Sequence, residues 1–207
     1  MLCEAAGDQR QVISRKEIER EGTPVKYPRL LLRGWAARVR QLADGRRQLL
    51  SFVLPGDLIG LCAQPRPLAV TTVIALSDVA WCIAPSPGIS AQLADAYATG
   101  LALEEAYRLA QICRLGRLNA QERMGDLLLE LLERLSLAGL ADENGFDLPL
   151  TQEMLADALG LTPVHINRTL QQMRRAGDID WKGGRLTIHD PATLAAKVGR
   201  EPVRVSG

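Results

Sequence analysis

Residues 151–177 hold two helix starts and two helix stops in close succession, and few folds accept that arrangement. Thr151 suits an N-cap, because its hydroxyl can accept an orphan amide of the first turn. The helix it opens is predicted to bury Met154, Leu155, Ala158 and Leu159. Gly160 fits the left-handed position that ends a helix, and Leu161 is expected to plug the turn. Thr162 is a second N-cap, and Pro163 follows at N1, where its missing N–H costs nothing. The second helix is predicted to run to about Ala176 and stop at Gly177. Ile166, Leu170 and Met173 mark its buried side; His165, Asn167, Arg168, Gln171, Arg174 and Arg175 mark the other.

Two short helices around a glycine turn make a helix-turn-helix, whose second helix offers its N-terminal residues to the major groove. Arginine suits guanine O6 and N7, and asparagine suits adenine. Cap hydroxyls and the positive end of a helix suit phosphates, which brings Thr151, Gln152 and Thr162 into the candidate surface. Residues 158–177 contain three Arg and no acid. The alternative is an ordinary αα-hairpin with a solvated basic face. Two alternating runs, Ile179–Trp181 and Leu186–Ile188, flank Lys182-Gly183-Gly184-Arg185 and predict a two-stranded wing with a basic tip. Asp190-Pro191 caps a last short helix through about Val198. His189 reads as a strand-end residue, not a ligand.

Upstream the pattern is different. Residues 12–83 read as short strands separated by Asp44-Gly45, Pro55-Gly56-Asp57 and Ser77-Asp78, which suggests an antiparallel barrel or jelly roll. Residues 90–117 are rich in Ala, Leu, Glu and Gln and contain no proline, so they read as one long helix. Ala98, Ala102, Leu109, Ile112 and Gly116 form a seam suited to self-association, which Glu105 interrupts. Asn119-Ala-Gln-Glu122 is a capping box, so one helix ends near Leu118 and another begins, with Asn119 a natural hinge. Met124, Leu127, Leu128, Leu131, Leu132 and Leu135 stripe the new helix, and 139–145 reads as a loop.

Net charge is only +1, which by itself speaks against a nucleic-acid binder. The sum hides segments of +4 (1–118), −4 (119–146) and +1 (147–207). Neither histidine, His165 or His189, precedes Pro85, so a histidine-ligated metal enzyme on the barrel is not expected. The cysteines at 3, 62, 82 and 113 form no CxxC pair and are read as buried free thiols, so no metal and no cofactor is predicted. Six arginines between Arg29 and Arg47 are read as the solvated face of the strands, although they could attract an anion. No signal peptide or long apolar run is visible, so a cytoplasmic protein with no membrane partner is expected.

Residues 148–190, LPLTQEMLADALGLTPVHINRTLQQMRRAGDIDWKGGRLTIHD, resemble the winged helix of the Crp/Fnr transcription regulators. Residues 30–61, with their PGD turn, are similar to that family's effector-domain strands. The resemblance spans about residues 16–195 and implies an α+β chain. An N-terminal antiparallel jelly-roll sensor of the cyclic-nucleotide-binding-like kind (1–88) precedes a dimerisation helix (89–118) and a winged helix-turn-helix (119–207). It further implies a homodimer on two-fold symmetric double-stranded DNA, with RNA polymerase as a partner and no enzymatic activity.

Members that read DNA with a Glu followed four residues later by Arg keep the Arg as Arg168, but the Glu position holds Val164. An acceptor for cytosine is thereby replaced by an apolar contact suited to a thymine methyl. The candidate DNA-binding set is Thr151, Gln152, Thr162, Pro163, Val164, His165, Asn167, Arg168, Gln171 and Lys182. Residues 58–72 contain no Glu, and Arg66 is not followed by Ser, so the resemblance predicts no cyclic AMP binding. Cys3 alone cannot supply an oxygen-sensing cysteine cluster. The effector is left open between a ligand, a redox change at Cys62, Cys82 or Cys113, and none. The rival reading is a dimeric interaction protein that has lost DNA binding.

Overall fold

The computed structural model describes residues 9–62 and 64–205; Cys3 lies outside them. The chain divides into two compact units, one comprising the chain up to Arg108 together with the C-terminal stretch from Arg204, the other spanning Leu109–Val203.

The first unit is built from two four-stranded antiparallel sheets. Strands β1 (Arg10–Val12), β3 (Arg29–Arg33), β6 (Leu58–Ile59) and β8 (Val79–Ile83) form one, in the order β1-β8-β3-β6. Strands β2 (Glu17–Glu19), β4 (Ala36–Gln41), β5 (Arg47–Val53) and β7 (Thr72–Ala75) form the other, in the order β2-β7-β4-β5. Leu31, Ile59, Val79 and Trp81 from one sheet meet Ala36, Val53, Val73 and Ala75 from the other in a single core. The expected turns are present. Asp44 accepts the Arg46 amide at 3.0 Å, and Asp57 accepts the Leu54 amide at 2.7 Å. Gly34 (φ 83°) links β3 to β4 so close to the Asp78 carbonyl that a Cβ there would collide with it.

Helix α1 (Ala91–Arg117) follows. Its Tyr97 is buried with Leu30, Cys82 and Ala84. The predicted seam at Ala98, Ala102, Leu109, Ile112 and Gly116 is exposed throughout. Two expectations fail in this part of the chain. Cys62 and Cys113 are exposed, and only Cys82 of the described cysteines is buried. The arginines of 29–47 are not simply a solvated face. Arg29 pairs with Glu19 at 2.7 Å and Arg38 with Glu104 at 2.9 Å, and both arginines are largely buried. A guanidinium can enter a barrel wall when a carboxylate on another strand or helix meets it, and strand alternation alone does not reveal that partner.

The second unit holds α2 (Ala120–Leu137), β9 (Gly145–Asp147), α3 (Gln152–Leu159), α4 (Pro163–Arg175), β10 (Ile179–Lys182), β11 (Arg185–Ile188) and α5 (Pro191–Val198). Both halves of the capping box are formed at Asn119 and Glu122. All six stripe residues of α2 are buried. The stripe also carries charge, because Asp126 and Glu130 are buried beside it. Arg114, 1% exposed, donates to Asp126 at 2.6 Å and to Glu130 at 2.5 Å. Arg200 donates to Asp126 at 3.0 Å and to Glu133 at 2.9 Å. Three of the six acids of 119–146, Asp126, Glu130 and Glu133, are therefore spent on ion pairs with Arg114 and Arg200. The wing sheet has three strands, not two, in the order β10-β11-β9. Part of the expected 139–145 loop thus opens a strand whose Phe146 is fully buried.

Candidate nucleic-acid interface

Local chemistry places α3 and α4. The Thr151 hydroxyl accepts the Met154 amide at 3.2 Å, and the Thr162 hydroxyl accepts the His165 amide at 3.3 Å. Gly160 turns the chain at φ 63°, a conformation that costs a residue with a Cβ about 1 kcal/mol or more. Leu155, Ala156, Ala158 and Leu159 bury the inner side of α3, while Met154 is only half-buried. Leu161 is likewise half-buried and does not plug the turn fully. Two residues that the sequence reading passed over hold the turn in place. Gln111 donates to the Ala158 carbonyl at 2.8 Å, and Arg123 donates to the Leu159 carbonyl at 3.0 Å. They satisfy carbonyls that the end of α3 leaves without helical partners. Nothing in their spacing gives them away, since each acts across elements.

Helix α4 is strongly two-sided. Ile166, Thr169, Leu170 and Met173 are buried. Pro163, Val164, His165, Asn167, Arg168, Gln171, Arg174 and Arg175 are all exposed. Val164 is 73% exposed at the first turn, a place where an apolar side chain gains nothing from the fold itself. No acid lies in that turn. Asn167 is held on both sides: it donates to Gln152 at 3.2 Å and accepts from Gln171 at 2.8 Å. This ladder joins α3 to α4 on the outer face. Arg168 makes no side-chain hydrogen bond or ion pair with any described residue. Arg174 instead donates to the Trp181 carbonyl at 3.0 Å and ties α4 to the wing.

The wing turns on Gly183 and Gly184, both at positive φ, as a two-residue hairpin loop requires. Its cations are partnered. Lys182 lies 2.7 Å from Asp180, and the lysine and its hydrogen bond hold the Asp180 carboxyl below its usual range. Arg185 bonds Asp142 and lies 3.6 Å from Asp147. Exposed pairs of this kind contribute little and can be exchanged for a phosphate.

Comparison with known proteins decides the relationship. Residues 122–197 match the Crp-like helix-turn-helix domain. The chain is 30% identical over 176 residues to the nitrogen fixation regulation protein FixK of Bradyrhizobium diazoefficiens, covering 80% of this chain and 71% of the relative. The chain belongs to the Crp/Fnr family. It is also 29% identical over 192 residues to the transcriptional activator protein FnrL of Cereibacter sphaeroides, covering 86% of this chain and 75% of FnrL. The solved structure of FixK2 from Bradyrhizobium japonicum superposes with a TM-score of 0.79 at 27% identity, over 91% of this chain and 96% of that one. As a Crp/Fnr protein, the chain is a DNA-binding transcription regulator. Its relatives are regulators, not enzymes. Among the described residues no helix is long and apolar enough to cross a membrane.

Proposed function

We propose that this regulator binds as a homodimer to a two-fold symmetric site, each protomer laying α4 in a major groove with half-sites about one helical turn, ~34 Å, apart. The observation that carries the reading is Arg168, exposed on α4 and without a partner among the described residues, beside the held Gln152, Asn167 and Gln171 ladder. Arg168 reads a guanine, and Val164 packs on a thymine methyl. Pro163, His165, Asn167 and Gln171 line the same groove face, and Thr151, Gln152, Thr162 and Lys182 meet the backbone. The exposed seam of α1 supplies the dimer contact, with residues 1–88 as sensor, 89–118 as dimer helix and 119–207 as DNA-binding domain. Asn119 marks the hinge between the last two.

The protein works in the cytoplasm with RNA polymerase as partner, catalyses no reaction and binds no cyclic AMP. Sedimentation of the protein with a symmetric duplex and with a single half-site tests the arrangement. Two protomers per symmetric duplex are expected. One protomer per duplex on both DNAs would overturn it.

A further inference from the structure

The exposed side of α4 has two flanks. Helical spacing puts Asn167 and Arg174 on one, His165 and Gln172 on the other, and Val164 and Arg168 between them. The first flank is held by the protein: Asn167 donates to Gln152 at 3.2 Å, and Arg174 donates to the Trp181 carbonyl at 3.0 Å. The second flank is not held. The side chains of His165 and Gln172 make no hydrogen bond or ion pair with any described residue. His165 lies in the first turn of α4, where Thr162 accepts its amide and leaves its ring exposed. No acid lies in that turn, and residues 158–177 contain none. Helices α2 and α3 and strand β10 pack on α4. Helix α3 carries Glu153 and Asp157. Asp180 of β10 is held by Lys182, and Asp126 and Glu130 of α2 by Arg114. Arg123 of α2 is held by the Leu159 carbonyl. None of these groups pairs with His165.

We infer that His165 makes DNA binding proton-linked: its imidazolium donates to an acceptor on the duplex, and affinity rises as pH falls. The inference rests on the reading of α4 as the helix that enters the groove. Imidazole is the side chain whose charge changes between about pH 5 and 8. Neutral, it offers one N–H; protonated, it offers two and a positive charge. A duplex presents phosphate oxygens along the groove and purine N7 atoms within it, and both are acceptors. The described protein gives a charged His165 ring no anionic partner, and DNA does. The charged form therefore gains more from binding than the neutral one, so the complex takes up a proton. By linkage, affinity then increases as pH drops through the range in which the ring titrates. The assignment can be made cleanly, because the chain has only two histidines, and the other, His189, follows β11 outside the recognition helix.

The test is titration of the full chain with a duplex that wild type selects from random sequence, at constant salt, from about pH 8 down to about pH 5. Circular dichroism at each pH shows that the protein stays folded. Wild type should bind about tenfold more tightly at the acid end. His165→Gln should lose that response, and His189→Gln should keep it. The two acceptors separate in the same experiment. A phosphate contact strengthens every duplex on acidification and steepens the salt slope by about one. A purine N7 contact confines the gain to duplexes that carry one particular base pair. Wild-type affinity that does not change with pH would overturn the inference, as would an equal response in His165→Gln. Failure to select or bind any duplex at any pH would overturn the reading of α4 and the inference with it, a result distinct from pH-independent binding.

Discussion

Two arginines of the second unit, Arg114 and Arg168, show how differently one side chain can be used. Arg114 is 1% exposed and bonds Asp126, Glu130 and Gln111. Arg168 is exposed and bonds nothing described. Burying a guanidinium is tolerable only when carboxylates surround it, so Arg114 is committed to holding the end of α1 on α2. Ordering a long exposed side chain has an entropy cost that the fold does not recover, so Arg168 is free for a partner outside the chain. Whole-chain charge cannot separate these roles, because each contributes +1.

The contrast can be broken first at its buried end. Arg114→Ala leaves Asp126 and Glu130 facing each other with one cation fewer, and should destabilise the second unit by ~3–5 kcal/mol in urea unfolding. At the exposed end, Arg168→Ala should leave unfolding within about 0.5 kcal/mol of wild type. It should still cost ~1–3 kcal/mol in specific DNA binding, measured by titration of a selected duplex. Equal loss of stability in both variants would erase the distinction.

Smaller effects sharpen it. Lys182→Ala, at an exposed pair, should weaken all duplexes alike and reduce the salt slope of binding by about one, read from affinities across a salt series. The smallest expected effect is a pH dependence at Asp190. This N-cap of α5 accepts from the Thr193 amide at 2.9 Å and the Thr193 hydroxyl at 2.6 Å, and these bonds hold its carboxyl below the ordinary Asp value. A depressed folded pKa adds stability above the unfolded value, and that stability is lost as pH falls through the folded one. The advantage of wild type over Asp190→Asn should therefore shrink on acidification through that window, as followed by urea unfolding at neutral and acid pH.

The parts of the interface that obey local rules were legible in the sequence. Thr151, Gly160, Thr162, Pro163 and Asp190 each act within four residues of themselves, and the structure has each in its expected capping position. The two-sidedness of α4 follows from helical spacing alone. What escaped was decided across elements. Arg123 and Gln111 reach the end of α3 from α2 and α1. Arg114 finds its carboxylates on α2, and the three-residue strand β9 exists only because β11 lies beside it. Cys62 and Cys113 show the same limit from the other side: thiols are usually buried, but neither position faces a core.

The most direct test of the account is selection of random duplexes by wild type and by Arg168→Ala. The account predicts that wild type recovers a symmetric motif with one strongly preferred G·C pair per half-site, and that Arg168→Ala recovers the same motif with that pair relaxed. Identical motifs and equal affinities for the two proteins would contradict it.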